Sequence, residues 1–143
     1  AGRIALDKIG AMGMSWGGST VAVLAQEDAR CLAIVQLDPG SVNAAGFSKP
    51  SLTMHRPEDS EQSVFDGSKT NAIWFQISNT DHASFANYVI YSTTPSLAAN
   101  REAQRTIQTY TLSFFDKWLK GQNNHLHESS SASFPRVINY RKK

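Results

Sequence analysis

Gly13-Met14-Ser15-Trp16-Gly17-Gly18 is the segment best suited to chemistry. A serine with glycine two residues to either side fits a tight turn from a strand into a helix. The backbone at such a serine is strained, and small neighbours relieve the crowding. A helix starting there aims its free N–H groups and positive dipole end at whatever the serine attacks. The apolar run at residues 8–12 and the helix-prone stretch at 19–29 supply that setting. The chemistry is nucleophilic acyl transfer, given a base and a group to orient the base.

Four histidines are available as the base. His82, in Asn79-Thr80-Asp81-His82-Ala83-Ser84-Phe85, follows a strand candidate, where a loop carries an imidazole back over a sheet; it is the preferred base. His55 ends a short strand candidate and reads as an ordinary solvated residue rather than as the base. His125 and His127 lie in a polar stretch, and as a metal pair they lack a third ligand and a rigid element. Two carboxylates compete to orient the base. Asp38 closes an apolar run in Asp38-Pro39-Gly40, and Asp59 stands in Arg56-Pro57-Glu58-Asp59. Both fall at strand carboxyl ends and both give the order serine, acid, histidine. Asp38 also suits a turn, and Asp59 a helix cap or a solvated loop. Spacing leaves the choice open.

The elements that must position these groups follow from pattern. Residues 8–12, 32–37, 51–55 and 71–78 are short and rich in apolar, β-branched or aromatic side chains, and read as strands. Residues 19–29 and 60–69 read as helices, the second capped by Ser60 with Val64 and Phe65 inward. The clearest helix is 96–120, where Ile107, Tyr110, Thr111, Phe114, Phe115 and Trp118 form one apolar stripe and Gly121 supplies the stop. That stripe is the face of a helix packed on a sheet. The order β-α-β-loop-β-α-β-α predicts an α/β fold, a parallel sheet buried on both faces with function at its strand carboxyl ends. The connection 41–50 leaves little room for a large lid. Residues 1–121 form the expected domain, and 122–143 a polar, loose tail.

At 143 residues, 41% of them hydrophobic and 18% charged, the chain has the balance of one globular domain. A net charge of +2 argues against nucleic acid. Arg136, Arg141, Lys142 and Lys143 fit a frayed, solvated terminus. No apolar run reaches membrane-spanning length. The single cysteine, Cys31, excludes an internal disulfide and a cysteine-rich zinc site, and its apolar surroundings suit a buried thiol. No metal cluster or phosphate loop is evident, so no cofactor is expected. The start Ala1-Gly2-Arg3-Ile4 carries neither initiator Met nor leader pattern, which suggests a sequence beginning inside a longer gene product.

Asp7-Lys8-Ile9-Gly10-Ala11-Met12-Gly13-Met14-Ser15-Trp16-Gly17-Gly18-Ser19-Thr20 resembles the nucleophile elbow of the α/β-hydrolase superfamily. More narrowly it resembles the platelet-activating-factor acetylhydrolase-like branch and its bacterial and fungal relatives. Gln36-Leu37-Asp38-Pro39 matches that branch's acid segment at its spacing, and His82-Ala83-Ser84-Phe85 matches its His-x-x-Phe segment. The stretch 112–121 resembles its closing helix, so the likeness spans residues 4–121. The resemblance implies a serine hydrolase of carboxylic esters, of short acyl or phospholipid-acetyl type. Its triad would be Ser15, Asp38 and His82, with the Trp16 N–H in the oxyanion hole and Gly13, Gly17 and Gly18 shaping the elbow. It favours Asp38 over Asp59, the position that polyester and dienelactone hydrolases use; the latter have a cysteine nucleophile, which Ser15 does not match. A polyester or lipid hydrolase using Asp59 is the alternative reading within this superfamily.

Two departures stand out. Met14 takes a place where relatives often carry His or Tyr, implying a more apolar pocket wall. The superfamily's sheet has about eight strands, whereas this chain reads as the last four. The remaining half would supply a second oxyanion N–H. The expectation is therefore a carboxyl-terminal portion whose exposed sheet edge pairs with an amino-terminal half. Its non-enzymatic counterpart is a structural or interaction half that has kept the elbow. Relatives of this type are often exported, a weak lean toward a secreted or periplasmic protein.

Overall fold

Cys31–Leu37, Ser51–His55 and Ala72–Ile77 carry nearly unbroken runs of buried side chains, so strands built from them must be covered on both faces. In the computed structural model, which describes residues 4–69, 71–86, 97–122 and 125–143, they form the centre of one sheet. Numbered along the chain, the strands are β1 (Ile9–Met14), β2 (Cys31–Leu37), β3 (Ser51–His55), β4 (Ala72–Ile77) and β5 (Val137–Lys142), and they lie side by side in that order. β1 to β4 run parallel, and β5 is antiparallel to β4.

Helices cover both faces. α1 (Trp16–Glu27) packs Val21, Ala22 and Ala25 against Cys31, Ile34 and Phe47 on one side. α3 (Leu97–Lys120) lays Ile107, Tyr110 and Phe114 over Val35, Leu37, Met54 and Phe75 on the other. The expected apolar stripe of α3 is thus its sheet-facing side. Tyr110 meets Phe75 edge-on at 4.9 Å. Burying one such ring is worth about 2–3 kcal/mol. α2 (Ser63–Gly67) is shorter than predicted; Val64 and Phe65 do point inward, but Gln62 rather than Ser60 precedes its first turn. Cys31 is buried as expected, and burial raises its thiol pKa.

The α/β architecture agrees with the sequence reading, with four corrections. The sheet has five strands, the fifth drawn from the stretch expected to be a loose tail. Val137 is buried, the Tyr140 hydroxyl donates to the His127 carbonyl at 2.8 Å, and Lys143 Nζ donates to the Phe65 carbonyl at 2.7 Å. The basic terminus is also anchored: Arg136 pairs with Glu102 at 2.7 Å, and Arg141 lies over the Phe65 ring at 4.7 Å. Burial on both faces stops short of β1, whose Met12 is 54% exposed. Finally, α1 begins at Trp16, directly after the serine, so the elbow and the helix are continuous. The predicted helix start at Ser96 and the residues Ala1 to Arg3 lie outside the described residues. No described helix is long and apolar enough to cross a membrane.

Candidate active site

Ser15 sits between the end of β1 and the start of α1 at φ 55°, ψ −126°, a region that residues with a side chain rarely occupy. The strain is held in place by its own backbone N–H, which donates to the Leu37 carbonyl at 2.9 Å. Close packing then dictates the neighbours. A Cβ on Gly13 would lie 2.1 Å from the Gly17 carbonyl oxygen, and one on Gly18 would lie 2.8 Å from Pro39 Cβ. At Gly17 a Cβ would meet nothing within 4 Å. The expectation that both flanking glycines relieve crowding therefore holds for Gly13 and not for Gly17. The buried Gln36 braces the turn from the sheet: its amide donates to the Gly18 carbonyl at 2.8 Å and accepts from the Thr53 hydroxyl at 3.0 Å. Trp16 opens the helix with one of the N–H groups that have no partner within it, and its side chain is 83% exposed.

Asp38 follows β2 at φ 44°, its backbone N–H donating to the Met54 carbonyl at 2.7 Å. Its carboxylate is fully buried and collects four donors. Oδ1 faces His55 Nδ1 at 3.1 Å and the Arg56 backbone N–H at 3.2 Å; Oδ2 faces His82 Nδ1 at 2.5 Å and takes the Arg56 guanidinium. Burial pushes the pKa of Asp38 up. The hydrogen bonds from His55 and His82, then that from the Arg56 backbone and the Arg56 charge, outweigh it and hold the carboxyl well below the usual range.

His82 starts a single 3-10 turn, His82–Phe85. Asp81 caps that turn by accepting from the Ser84 N–H and hydroxyl, each at 2.8 Å, while Asp81 N–H donates back to the Ser84 hydroxyl. Phe85 is buried in the core, and Gln104 on α3 donates to the Ser84 carbonyl at 2.8 Å. The turn is thus pinned at its far end while the His82 side chain stays 47% exposed. Ser15, Trp16, Asp38, Arg56, Asp59 and His82 line one open cavity of about 470 Å³. No hydrogen bond joins Ser15 Oγ to His82 in this conformation; such contacts are often long until a substrate is bound.

The competing acid lines the same cavity but has different partners. Asp59 pairs with Arg56 Nη2 at 3.2 Å and stands 3.9 Å from His55 Nδ1, and it makes no contact with His82 among the described interactions. Asp38, His55 and Asp59 could each offer one ligand atom within 4.8 Å of the others. The Arg56 guanidinium, bonded to both carboxylates, already supplies the positive charge there. His125 and His127 are not part of the cavity. His125 faces Glu128 at 3.2 Å, and His127 is buried with Nδ1 2.8 Å from Ser113 Oγ.

Two residues at the site escape the sequence reading. His55, taken for an ordinary solvated residue, has no exposed surface, and Arg56 was not singled out at all. The signal was their place at the carboxyl end of β3. The pairing of Leu37 with Met54 across β2 and β3 sets the next residues, Asp38 and His55, beside each other.

The sequence matches no family model and no curated protein. Among solved structures, a ferulic acid esterase from Streptomyces cinnamoneus superposes with a TM-score of 0.79 at 22% identity, over 98% of this chain and 48% of that one. The chain shares its α/β fold with that structure and spans about half the length of that esterase.

Proposed function

We propose that this chain is a serine hydrolase acting on carboxylic esters through Ser15, His82 and Asp38. One observation carries the reading: a serine held in a left-handed elbow shares a cavity with a histidine whose Nδ1 is 2.5 Å from a buried carboxylate. With Nδ1 committed to Asp38, Nε2 is the His82 atom free to serve Ser15. In acylation His82 Nε2 takes the Ser15 proton as Oγ bonds to the ester carbonyl carbon. The tetrahedral oxyanion meets the Trp16 N–H at the positive end of α1. Collapse breaks the bond to the alcohol, which leaves with the proton from His82. Water then gives a proton to His82 Nε2 and attacks the acyl carbon; as the bond to Oγ breaks, His82 returns that proton to Ser15 and the acid is released.

Likeness to a fold that serves an esterase favours esters over other acyl compounds. The open cavity and the short connection before β3 suit a small acyl group such as acetyl. The test is turnover of p-nitrophenyl acetate by the purified chain. Ser15→Ala is expected to abolish it, and His82→Ala to lower it by about 10³-fold or more; full activity in Ser15→Ala would end the proposal. A second reading, an interaction or structural half, rests on β1 being the end strand of the sheet and on the chain spanning half of the esterase. It expects no Ser15-dependent turnover.

A further inference from the structure

We infer that His55 is a positioning residue for the proposed reaction, its Nδ1–H locking the Asp38 carboxylate in the plane that presents Oδ2 to His82. This rests on the reading of Ser15, His82 and Asp38 as the reacting set, and it deepens that reading.

A carboxylate plane rotates over a broad range when nothing holds it. Here Oδ1 is held by two donors from consecutive residues, His55 Nδ1 at 3.1 Å and the Arg56 N–H at 3.2 Å. The backbone donor is fixed by β3, but one N–H cannot set the plane of the group it meets. The Arg56 guanidinium also reaches the carboxylate, at Oδ2, but from a partly exposed side chain, whereas the fully buried imidazole adds a second fixed direction at Oδ1. Its own place is set by burial: His55 is 0% exposed, and its ring lies 5.9 Å from that of Trp74 on β4. Facing a carboxylate at hydrogen-bond distance, Nδ1 must carry the hydrogen. Nε2 is buried and has no partner among the described residues, so the ring's sole hydrogen bond there is the one to Asp38. A buried imidazole with one bond, made to the residue that orients the base, has no better account than the orientation of that residue. His55 does not touch the cavity, so it acts on the reaction only through Asp38.

The test compares His55→Leu, which fills the space without a donor, with His55→Asn, whose side-chain amide replaces the Nδ1–H. Each chain is titrated with diisopropyl fluorophosphate to count reactive serines, and p-nitrophenyl acetate turnover is expressed per titrated site. A merely structural role would lower the count and leave the rate per site unchanged. The expected result for His55→Leu is a per-site kcat lower by about 10- to 100-fold with KM little changed, and recovery of most of the loss in His55→Asn. A wild-type per-site rate in His55→Leu, or an Asn variant no better than Leu, overturns the inference. Should His55→Leu fail to fold, nitrogen-15 histidine spectra of the unaltered chain decide, because a His55 with a bare Nδ1 contradicts the donor role. A wild-type chain with no reactive serine overturns the parent reading and this inference together. A reactive Ser15 with His55-independent rates overturns this inference alone.

Discussion

The three residues of the proposed site each carry a local signature in the sequence: Ser15 is bounded by glycines, His82 follows the last parallel strand, and Asp38 closes an apolar run. The donors on Asp38 carry none. His55 and Arg56 become its partners only when β2 and β3 pair in the register Leu37 to Met54, a fact that lies in the folded sheet and not in either segment. In the folded chain Asp38 meets His82 directly, while Asp59 pairs with the other nitrogen of the Arg56 guanidinium. Asp38→Asn is therefore expected to lower kcat for p-nitrophenyl acetate by about 10³–10⁴-fold. Asp59→Asn removes only a partly exposed ion pair, and its kcat should stay within about threefold of wild type. A larger loss from Asp59→Asn than from Asp38→Asn would exchange their roles.

At the scale of elements, the strand-to-helix elbow depends on one glycine more than on the motif as a whole. A methyl on Gly13 would collide with the Gly17 carbonyl at 2.1 Å, and backbone cannot yield as a flexible side chain can. Gly13→Ala is expected to lower the melting temperature and the reactivity of Ser15 together. Gly17 lies within α1 with open space around it, so Gly17→Ala should stabilise the chain by about 0.5–1 kcal/mol and leave turnover intact. Thermal unfolding and turnover of the two variants check this pair. The long apolar stripe of α3 and the buried central strands were legible because a helix or strand enclosed by the fold must be apolar on the side it hides. β5 was not. Its second half is Tyr140, Arg141 and Lys142, whose side chains satisfy themselves through His127, Phe65 and Glu128, partners distant in sequence.

Across the whole molecule, the carboxyl-terminal stretch also supplies a titrating group that couples to folding. Burial pulls the pKa of His127 down to about 4 from 6.5, so between those values the unfolded chain binds a proton that the folded chain does not. Its contribution is complete above about pH 6.5 and is lost as pH falls toward 4, by up to about 3 kcal/mol. The stability of His127→Gln, measured by denaturant unfolding, should fall less steeply than that of the parent chain over this window. An equal slope would remove His127 as the cause. The α/β class was legible at this scale because strand and helix patterns alternate, while the number of strands was not, since the last one pairs out of sequence style as an antiparallel edge. Whether Ser15 is the nucleophile is read from intact mass after treatment with diisopropyl fluorophosphate. One adduct per chain is expected, mapped to the peptide holding Ser15, absent from Ser15→Ala and formed far more slowly in His82→Ala. An unmodified chain, or an adduct on another residue that persists in Ser15→Ala, would contradict that role.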